Sequence, residues 1–250
     1  MNAMKNKLPI ADCRLPVEKP EGFRRRFQIV NRKSRIVNGF TLVELLTVIA
    51  IIAALAGFTF PVMAVIERNK FITRSRAEMY QVAGAIDSYK DAWGFYPPDN
   101  PGNPLLNQLY YELVGTTNTA PGAFQTLDGS STVASGQFAA FGPGVSAFVN
   151  CSKPGAGEQA AGGRNFLHEY RPGQTAIYNG QVTLLVASVG GPDPNYKPLG
   201  SSDLNPWRYI SSNPTNNPGA YDLWVQLSIS GKKYLVCNWN NQAQINNPLP

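Results

Sequence analysis

The stretch from Gly39 to Val62 reads GFTLVELLTVIAIIAALAGFTFPV, an apolar run with one carboxylate, Glu44, near its start. From Phe40 to about Ile66, Glu44 is the only side chain that ionises. At about 1.5 Å rise per residue, some twenty such residues cross the core of a bilayer. The sequence therefore predicts a transmembrane helix over residues 40–66, and the function of the chain has to account for Glu44.

A basic segment precedes this run. Residues 1–39 carry ten Lys or Arg and three Asp or Glu, a net charge of +7, whereas residues 40–250 carry twelve and thirteen, a net charge of −1. Because clustered Lys and Arg stay on the cytoplasmic side of a membrane, we interpret residues 1–39 as a leader, with the remainder crossing over. The nearly neutral remainder gives no support for nucleic-acid binding.

A helical pattern continues beyond the apolar run, in ERNKFITRSRAEMYQVAGAIDSYKDAW over residues 67–93. Apolar side chains recur at helical spacing on roughly one face, at Ile72, Met79, Val82, Ala83, Ile86 and Tyr89. Gly94 can cap the helix, and Pro97 and Pro98 prevent its continuation. The pattern predicts one helix of more than fifty residues, with an apolar first half and an amphipathic second half that lies on a folded domain.

The rest of the chain favours strands and loops. Residues 100–163 are rich in Gly, Pro, Asn, Ser and Thr, with a short helical patch over 105–114. A hairpin is predicted at Asn179-Gly180, and alternating residues over 221–239 predict two antiparallel strands with a turn at 230–232. A short strand is expected over 207–210. The predicted fold class is α+β, with a long N-terminal helix packed on a small antiparallel sheet.

Candidate reactive residues are few. Cys151 and Cys237 would face the oxidising side of the membrane and could form a disulfide, or could equally be two buried thiols, while Cys13 lies in the leader. No His-Cys spacing suggests a metal site. His168, the only histidine, is interpreted as structural because no nucleophile or metal cluster accompanies it. Asp87 and Asp91 are interpreted as a solvated helix face. We expect no catalytic residues, no metal, no cofactor and no enzymatic activity.

The segment GFTLVELL with the apolar run behind it resembles the class III signal of type IV pilins and type II secretion pseudopilins. The resemblance implies that prepilin peptidase cuts between Gly39 and Phe40 on the cytoplasmic face and then N-methylates Phe40. The basic leader, residues 1–39, is thereby removed, while the apolar helix remains on the mature protein. Glu44 then becomes the fifth mature residue and Pro61 the twenty-second, where such helices commonly carry a proline.

Physical chemistry supports an assembly role for Glu44. An ionised carboxylate within hydrocarbon costs roughly 2.5–3.5 kcal/mol or more, so it needs a partner. The new amine of Phe40, on the same helix or on a neighbour, is the nearest candidate. Pairing with a neighbour would set the register of helices stacked in a filament. The alternative is a tolerated interfacial Glu on a plain anchor.

A second resemblance points to the major pseudopilin of type II secretion. Gly94-Phe95-Tyr96-Pro97 matches the Gly-x-Tyr-Pro segment that follows the helix in that family, and Asn205-Pro206-Trp207-Arg208 partly matches its Asp-Pro-Trp-Gly element. Many major pseudopilins bind calcium in a loop near the C-terminal strands. Here Asp222 is the only nearby carboxylate, and Lys232 and Lys233 occupy places where oxygen ligands would be wanted. We therefore predict no calcium site.

These resemblances imply a pseudopilin with three parts: a leader over 1–39, a transmembrane and assembly helix over 40–66, and a periplasmic globular domain over 67–250. The expected partners are copies of the chain in a filament, minor pseudopilins, the inner-membrane assembly platform, prepilin peptidase and the membrane. The expected location is the bacterial inner membrane, as a single pass with its N-terminus inside, and then a filament in the periplasm or at the surface. A type IV pilus subunit for adhesion or motility and a membrane-anchored binding domain or enzyme are the alternatives.

Overall fold

The computed structural model describes residues 39–152, 162–201 and 204–246, with only the backbone of residues 58–62. The leader predicted over residues 1–39 therefore lies outside the described residues except for Gly39. The chain divides into two compact units, Met1–Ile52 and Ala53–Pro250. In the first unit the described residues form the start of helix α1. In the second unit they form the remainder of α1 and a folded domain of short strands.

The long helix is confirmed. α1 spans Leu42–Trp93, 52 residues, and passes through Pro61. It ends where the sequence predicts, because Gly94 takes a left-handed φ of 84° and its N–H donates to the carbonyl of Lys90 at 2.7 Å. This backbone conformation favours glycine, and the prolines that follow keep the chain from returning to a helix.

The buried face of α1 in the second unit is close to the predicted one. Met79, Val82, Ile86 and Tyr89 are buried, and Ile72 and Ala83 pack against the same core with partial exposure. The polar side chain of Glu78 is also buried, which the apolar pattern did not indicate. Its carboxylate accepts hydrogen bonds from the backbone N–H (3.0 Å) and the hydroxyl of Ser188. This contact joins α1 to a loop 110 residues further along the chain.

Beyond α1, the described residues contain one short helix, one 3-10 helix and ten strands. In chain order they are α2 (Leu109–Val114), β1 (Thr116–Ala120), β2 (Ala123–Thr126), β3 (Thr132–Ala134), the 3-10 helix (Ser135–Phe141), β4 (Cys151–Ser152), β5 (Thr175–Tyr178), β6 (Val182–Leu185), β7 (Arg208–Ile210), β8 (Asp222–Ile229), β9 (Lys232–Cys237) and β10 (Asn240–Ile245).

The α+β class is confirmed, but the strands form three sheets where the sequence predicted a small antiparallel sheet. Their orders are β3-β2-β1-β4, β10-β9-β8-β7 and β5-β6, and the β1–β4 pair is parallel. The first sheet lies in the region that the sequence left as loops, because its strands are short, polar and without a clear alternation. The part of the core near this sheet consists mainly of aromatic rings. In this cluster Tyr111 stacks on Phe148, with ring centroids 4.8 Å apart.

Both predicted hairpins are present. Asn179 and Gly180 both take positive φ, 49° and 67°, in the turn between β5 and β6. Such φ values at both central residues are the reason that Asn-Gly favours this turn. Ser230 and Gly231 do the same between β8 and β9. The predicted strand at 207–210 is β7, which pairs antiparallel with β8.

Strand β8 is buried on both faces, although its alternating sequence is typical of one polar and one apolar face. Leu223, Val225 and Leu227 belong to the main core. On the other face, Trp224 packs with Leu235 and Cys237 in a second small cluster. The polar side chains of this face are buried too, because loops rich in Pro and Asn cover them. For example, the Ser228 hydroxyl donates to Asp193 at 3.2 Å.

A buried carboxylate joins the two helices and the first sheet. Glu112 of α2 is fully buried and accepts from the backbone N–H groups of Val149 (2.8 Å) and Asn150 (2.9 Å) and from the Tyr89 hydroxyl of α1 (3.0 Å). The Asn150 amide in turn donates to the carbonyls of Glu112 (2.7 Å) and Arg164 (2.6 Å). Burial raises the pKa of the Glu112 carboxyl, and the three hydrogen bonds that it accepts only partly oppose this effect.

A second carboxylate organises the loop between β7 and β8. Asp222 is buried and accepts from the backbone N–H groups of Thr215, Asn216 and Asn217, each at 2.9 Å, and from the Asn216 side-chain amide at 3.0 Å. The loop thus presents hydrogen-bond donors to a negative charge. This polarity is the reverse of that of a calcium loop, which presents oxygens to a cation.

Glu112 should give the stability a characteristic pH dependence. A carboxyl with a raised folded-state pKa binds its proton more tightly when folded, so the free energy of unfolding falls as pH rises above the ordinary value of about 4.5. Glu112→Gln removes this titration. The amide N–H₂ of the new glutamine faces backbone N–H donors, so the free energy of unfolding should fall by roughly 1–3 kcal/mol at pH 4. Urea unfolding from pH 4 to 8 should show the advantage of wild type over Glu112→Gln shrinking as pH rises. An advantage that grows with pH would contradict this.

Asp222 should stabilise the β7–β8 loop without a metal. Asp222→Ala leaves several donors without an acceptor and should lower the free energy of unfolding by about 2–3 kcal/mol. The matched change Asp91→Ala, at an exposed position on α1, should alter it by less than about 0.5 kcal/mol. Calcium chelation should leave the Tm of wild type unchanged. A Tm that falls by several degrees on chelation would show that the loop depends on a cation.

Candidate processing and assembly site

The Gly39–Phe40 peptide bond lies in irregular, exposed chain just before α1 begins. The Phe40 side chain is 79% exposed. A Cβ placed on Gly39 would meet nothing within 4 Å, and its φ is not in the left-handed region. The described residues therefore give no conformational or packing reason for glycine at position 39.

Thr41 and Glu44 form a reciprocal cap at the start of α1. The Glu44 carboxylate accepts from the backbone N–H of Thr41 (2.8 Å) and from its hydroxyl (2.7 Å). The Glu44 backbone N–H in turn donates to the Thr41 hydroxyl oxygen at 3.2 Å. This is the arrangement of a capping box, and such a cap is worth about 1 kcal/mol of helix stability. It fixes the beginning of α1 two residues after the Gly39–Phe40 bond.

The cap gives Glu44 a partner that the sequence analysis did not name, while its pairing with the Phe40 amine stays a prediction. Its carboxylate already has two donors, both from Thr41. Thr41 is a functional candidate that the sequence reasoning missed, although the spacing Thr-Leu-Val-Glu ahead of an apolar run is a recognisable capping signature. A carboxylate can accept about four hydrogen bonds, so the Thr41 contacts leave Glu44 able to accept from an amine as well.

The first part of α1 presents an apolar surface to its surroundings. Between Phe40 and Ile66, the large apolar side chains that the structure describes are 45% to 79% exposed: Phe40, Leu42, Val43, Leu45, Leu46, Val48, Ile49, Ile51, Ile52, Leu55, Met63, Val65 and Ile66. Patches of this kind on a soluble protein mark an interaction surface. Pro61 lies within α1 in this stretch, at a position whose side chain is not described.

No helix is both long and apolar enough to cross a membrane within the parts of the chain that the structure describes. The assignment of residues 40–66 to a transmembrane and assembly segment stays a prediction.

The structure has Cys151 and Cys237 as free thiols. Cys151 is partly buried in β4 and Cys237 is fully buried in β9, so the two lie in different sheets. Burial raises the pKa of the Cys237 thiol. Of the two alternatives that the sequence left open, the structure shows separate thiols and not a disulfide.

The other sequence candidates are not brought together into a reactive site. His168 is exposed and, among the described residues, accepts and donates no hydrogen bond. It borders an open cleft of about 650 Å³ lined by Gln81 and residues 166–171. Asp87 and Asp91 are both exposed, and Lys90 lies over the ring of Tyr96, 4.0 Å from its centroid.

Potential metal ligands are also scattered. Within residues 39–152, 162–201 and 204–246 there is no group of three or more His, Cys, Asp or Glu side chains that could hold a metal ion. Asp222 is engaged by the β7–β8 loop, and Lys232 and Lys233 are exposed at the start of β9.

Comparison with known families gives one result for the N-terminal segment. Residues 34–60 match the model of the prokaryotic N-terminal methylation motif. No curated protein and no solved structure matches the chain. The motif indicates a type IV pilin-like prepilin, a substrate of prepilin peptidase, and such motifs are typical of membrane-anchored precursors of structural subunits. It covers the Gly39–Phe40 bond, the Thr41–Glu44 cap and most of the exposed apolar surface.

Proposed function

We propose that the chain is a pseudopilin, a filament subunit of a type II secretion system, cut between Gly39 and Phe40 and methylated on Phe40. The main support for the proposal is that three features lie next to one another within the methylation motif. An exposed cleavable bond, a capped helix start and an uncovered apolar helix surface follow one another directly along the chain.

Processing accounts for Gly39. Because the described residues give no reason for glycine there, we attribute it to a partner that approaches the backbone closely. A peptidase that binds residues 39–40 in an extended form is such a partner. The cap at Thr41 supports this, since it keeps the helix from extending back into the cleaved bond.

Assembly accounts for the apolar surface and for Glu44. Covering the exposed side chains between Phe40 and Ile66 is worth on the order of 10–20 kcal/mol, as much as the stability of a typical domain. We propose that lipid covers this surface in the inner membrane, with the N-terminus inside and the domain in the periplasm, and that neighbouring helices cover it in the filament. The Phe40 amine released by cleavage pairs with Glu44 of a neighbouring copy.

The choice of the secretion machine rests on the second resemblance. Gly94-Phe95-Tyr96-Pro97 follows α1 directly, as in the major pseudopilin, and Tyr96 packs edge-on against Tyr221 with ring centroids 5.1 Å apart. The expected partners are accordingly minor pseudopilins and the inner-membrane assembly platform, besides further copies of the chain. A type IV pilus would use a subunit of the same construction.

Two substitutions separate the charge of Glu44 from its capping role. Glu44→Gln keeps an acceptor for the Thr41 N–H but removes the charge, whereas Thr41→Val removes the hydroxyl of the cap and keeps the charge. We expect Glu44→Gln and Glu44→Ala both to reduce filaments at least tenfold, because an unpaired amine is then left in an apolar core. Thr41→Val should reduce them much less. Filaments sheared from cells and quantified by immunoblot give the measurement.

As a control, the size of each variant chain on the immunoblot shows whether its leader has been removed. Wild-type filament levels in Glu44→Ala would show that the pairing role is wrong. Filaments that form with Glu44→Gln but not with Glu44→Ala would show that Glu44 acts only through the helix cap.

A further inference from the structure

A small cleft lies between α1 and the β8–β9 hairpin, in the second unit. Val65 and Arg68 line it from α1, and Ile229 and Lys232 line it from the hairpin. Its volume is about 200 Å³, which is below the range of about 300–1,000 Å³ that encloses a drug-sized ligand. The cleft suits one small group rather than a whole metabolite.

The lining combines apolar side chains with two unneutralised cations. Val65 and Ile229 contribute apolar surface, whereas Arg68 and Lys232 contribute positive charge. The Arg68 guanidinium donates to the Asn69 side-chain oxygen at 3.3 Å, and neither Arg68 nor Lys232 pairs with a carboxylate among the described residues. Glu67, the exposed acidic residue that precedes Arg68 in sequence, is not among the residues that line the cleft.

The position of the cleft along α1 narrows the choice of occupant. Met63, Val65 and Ile66, the last large side chains of the apolar surface, are about half exposed at this point. Charged residues begin directly after Ile66, and two further lysines are exposed nearby in sequence: Lys70, two residues after Arg68, and Lys233, directly after Lys232. The cleft thus sits at the boundary between an uncovered apolar surface and a positively charged one.

We propose that this cleft binds the phosphate of an anionic phospholipid, with Arg68 and Lys232 on the phosphate and Val65 and Ile229 against the glycerol and upper acyl chain. The inference rests on the proposed membrane-resident state of the subunit. Basic side chains at a membrane surface attract anionic headgroups, and the apolar-to-cationic order in the cleft matches the acyl-to-phosphate order of a lipid.

A lipid fits these observations better than an acidic surface of a second copy. An acidic surface of a second copy would satisfy Arg68 and Lys232, but neighbouring helices cover Met63, Val65 and Ile66 only in the filament, and the subunit that waits in the membrane meets lipid there. A phospholipid supplies both the anion and the hydrocarbon. Free phosphate would occupy only the cationic part of the cleft.

The test uses the full chain in nanodiscs that contain equal amounts of phosphatidylglycerol and phosphatidylcholine. Native mass spectrometry after release from the discs counts the phosphatidylglycerol that stays bound. The test variant is Arg68→Gln with Lys232→Gln. The matched control is Arg164→Gln with Lys197→Gln, which removes the same charges from exposed positions of the domain. The basic leader is the same in every chain, so its contribution cancels.

We expect wild type and the control variant to retain phosphatidylglycerol preferentially. The variant with Arg68→Gln and Lys232→Gln should retain about ten- to thirtyfold less phosphatidylglycerol than wild type. Arg68→Lys, which keeps the charge, should retain it, and inorganic phosphate at millimolar concentration should not displace it. Equal retention in test variant and control would overturn the inference. Displacement of the bound lipid by phosphate would also overturn it. If the test variant retained phosphatidylglycerol but lost its filaments, a second copy and not a lipid would occupy the cleft, and the inference would again be wrong. A chain that does not enter nanodiscs at all would contradict the membrane-resident state itself and this inference with it.

Discussion

The uncovered apolar surface of α1 between Phe40 and Ile66 is the constraint on which the rest of the molecule depends. A helix with large apolar side chains on every side has no stable place in water, so it must be covered by lipid or by other helices. The second half of the same helix is already covered, because Met79, Val82, Ile86 and Tyr89 lie in the core of the domain. One helix therefore carries both the domain and the surface by which copies of the domain can be joined.

The folded domain depends heavily on buried polar groups for its irregular segments. Its strands are short and are joined by long loops, so the hydrogen bonds between strands cannot by themselves hold these loops in place. Glu112 connects both helices to the first sheet, Asp222 gathers the β7–β8 loop, and Glu78 holds the loop at Ser188 on α1. In each case a carboxylate accepts backbone N–H groups that would otherwise lack a partner. Gly115, just after α2, permits one of these junctions, since a Cβ there would lie 2.6 Å from the Arg164 carbonyl.

Local signals in the sequence predicted the local structure well. The end of α1 at Gly94 and the hairpin at Asn179-Gly180 were predictable because each depends on a few adjacent residues. The first sheet was not predictable, since β1 and β4 meet through the long-range bonds of Asn150, which no periodicity reveals. The same holds for β8, whose alternating pattern gives no sign that separate loops bury its polar face. The Thr41–Glu44 cap follows from the Thr-Leu-Val-Glu spacing alone, whereas a carboxylate within an apolar run suggests a different role for Glu44.

We infer that a cut after Gly39 removes the leader, so that the exposed apolar helix begins the mature chain. Mass spectrometry of the chain isolated from cells that contain a prepilin peptidase is the decisive test of this cut. We expect a mature chain that begins at Phe40 with one methyl group on its amine, and a chain of precursor size when Gly39 is changed to Leu. A chain that still begins at Met1, with Phe40 unmodified in the presence of an active peptidase, would contradict it.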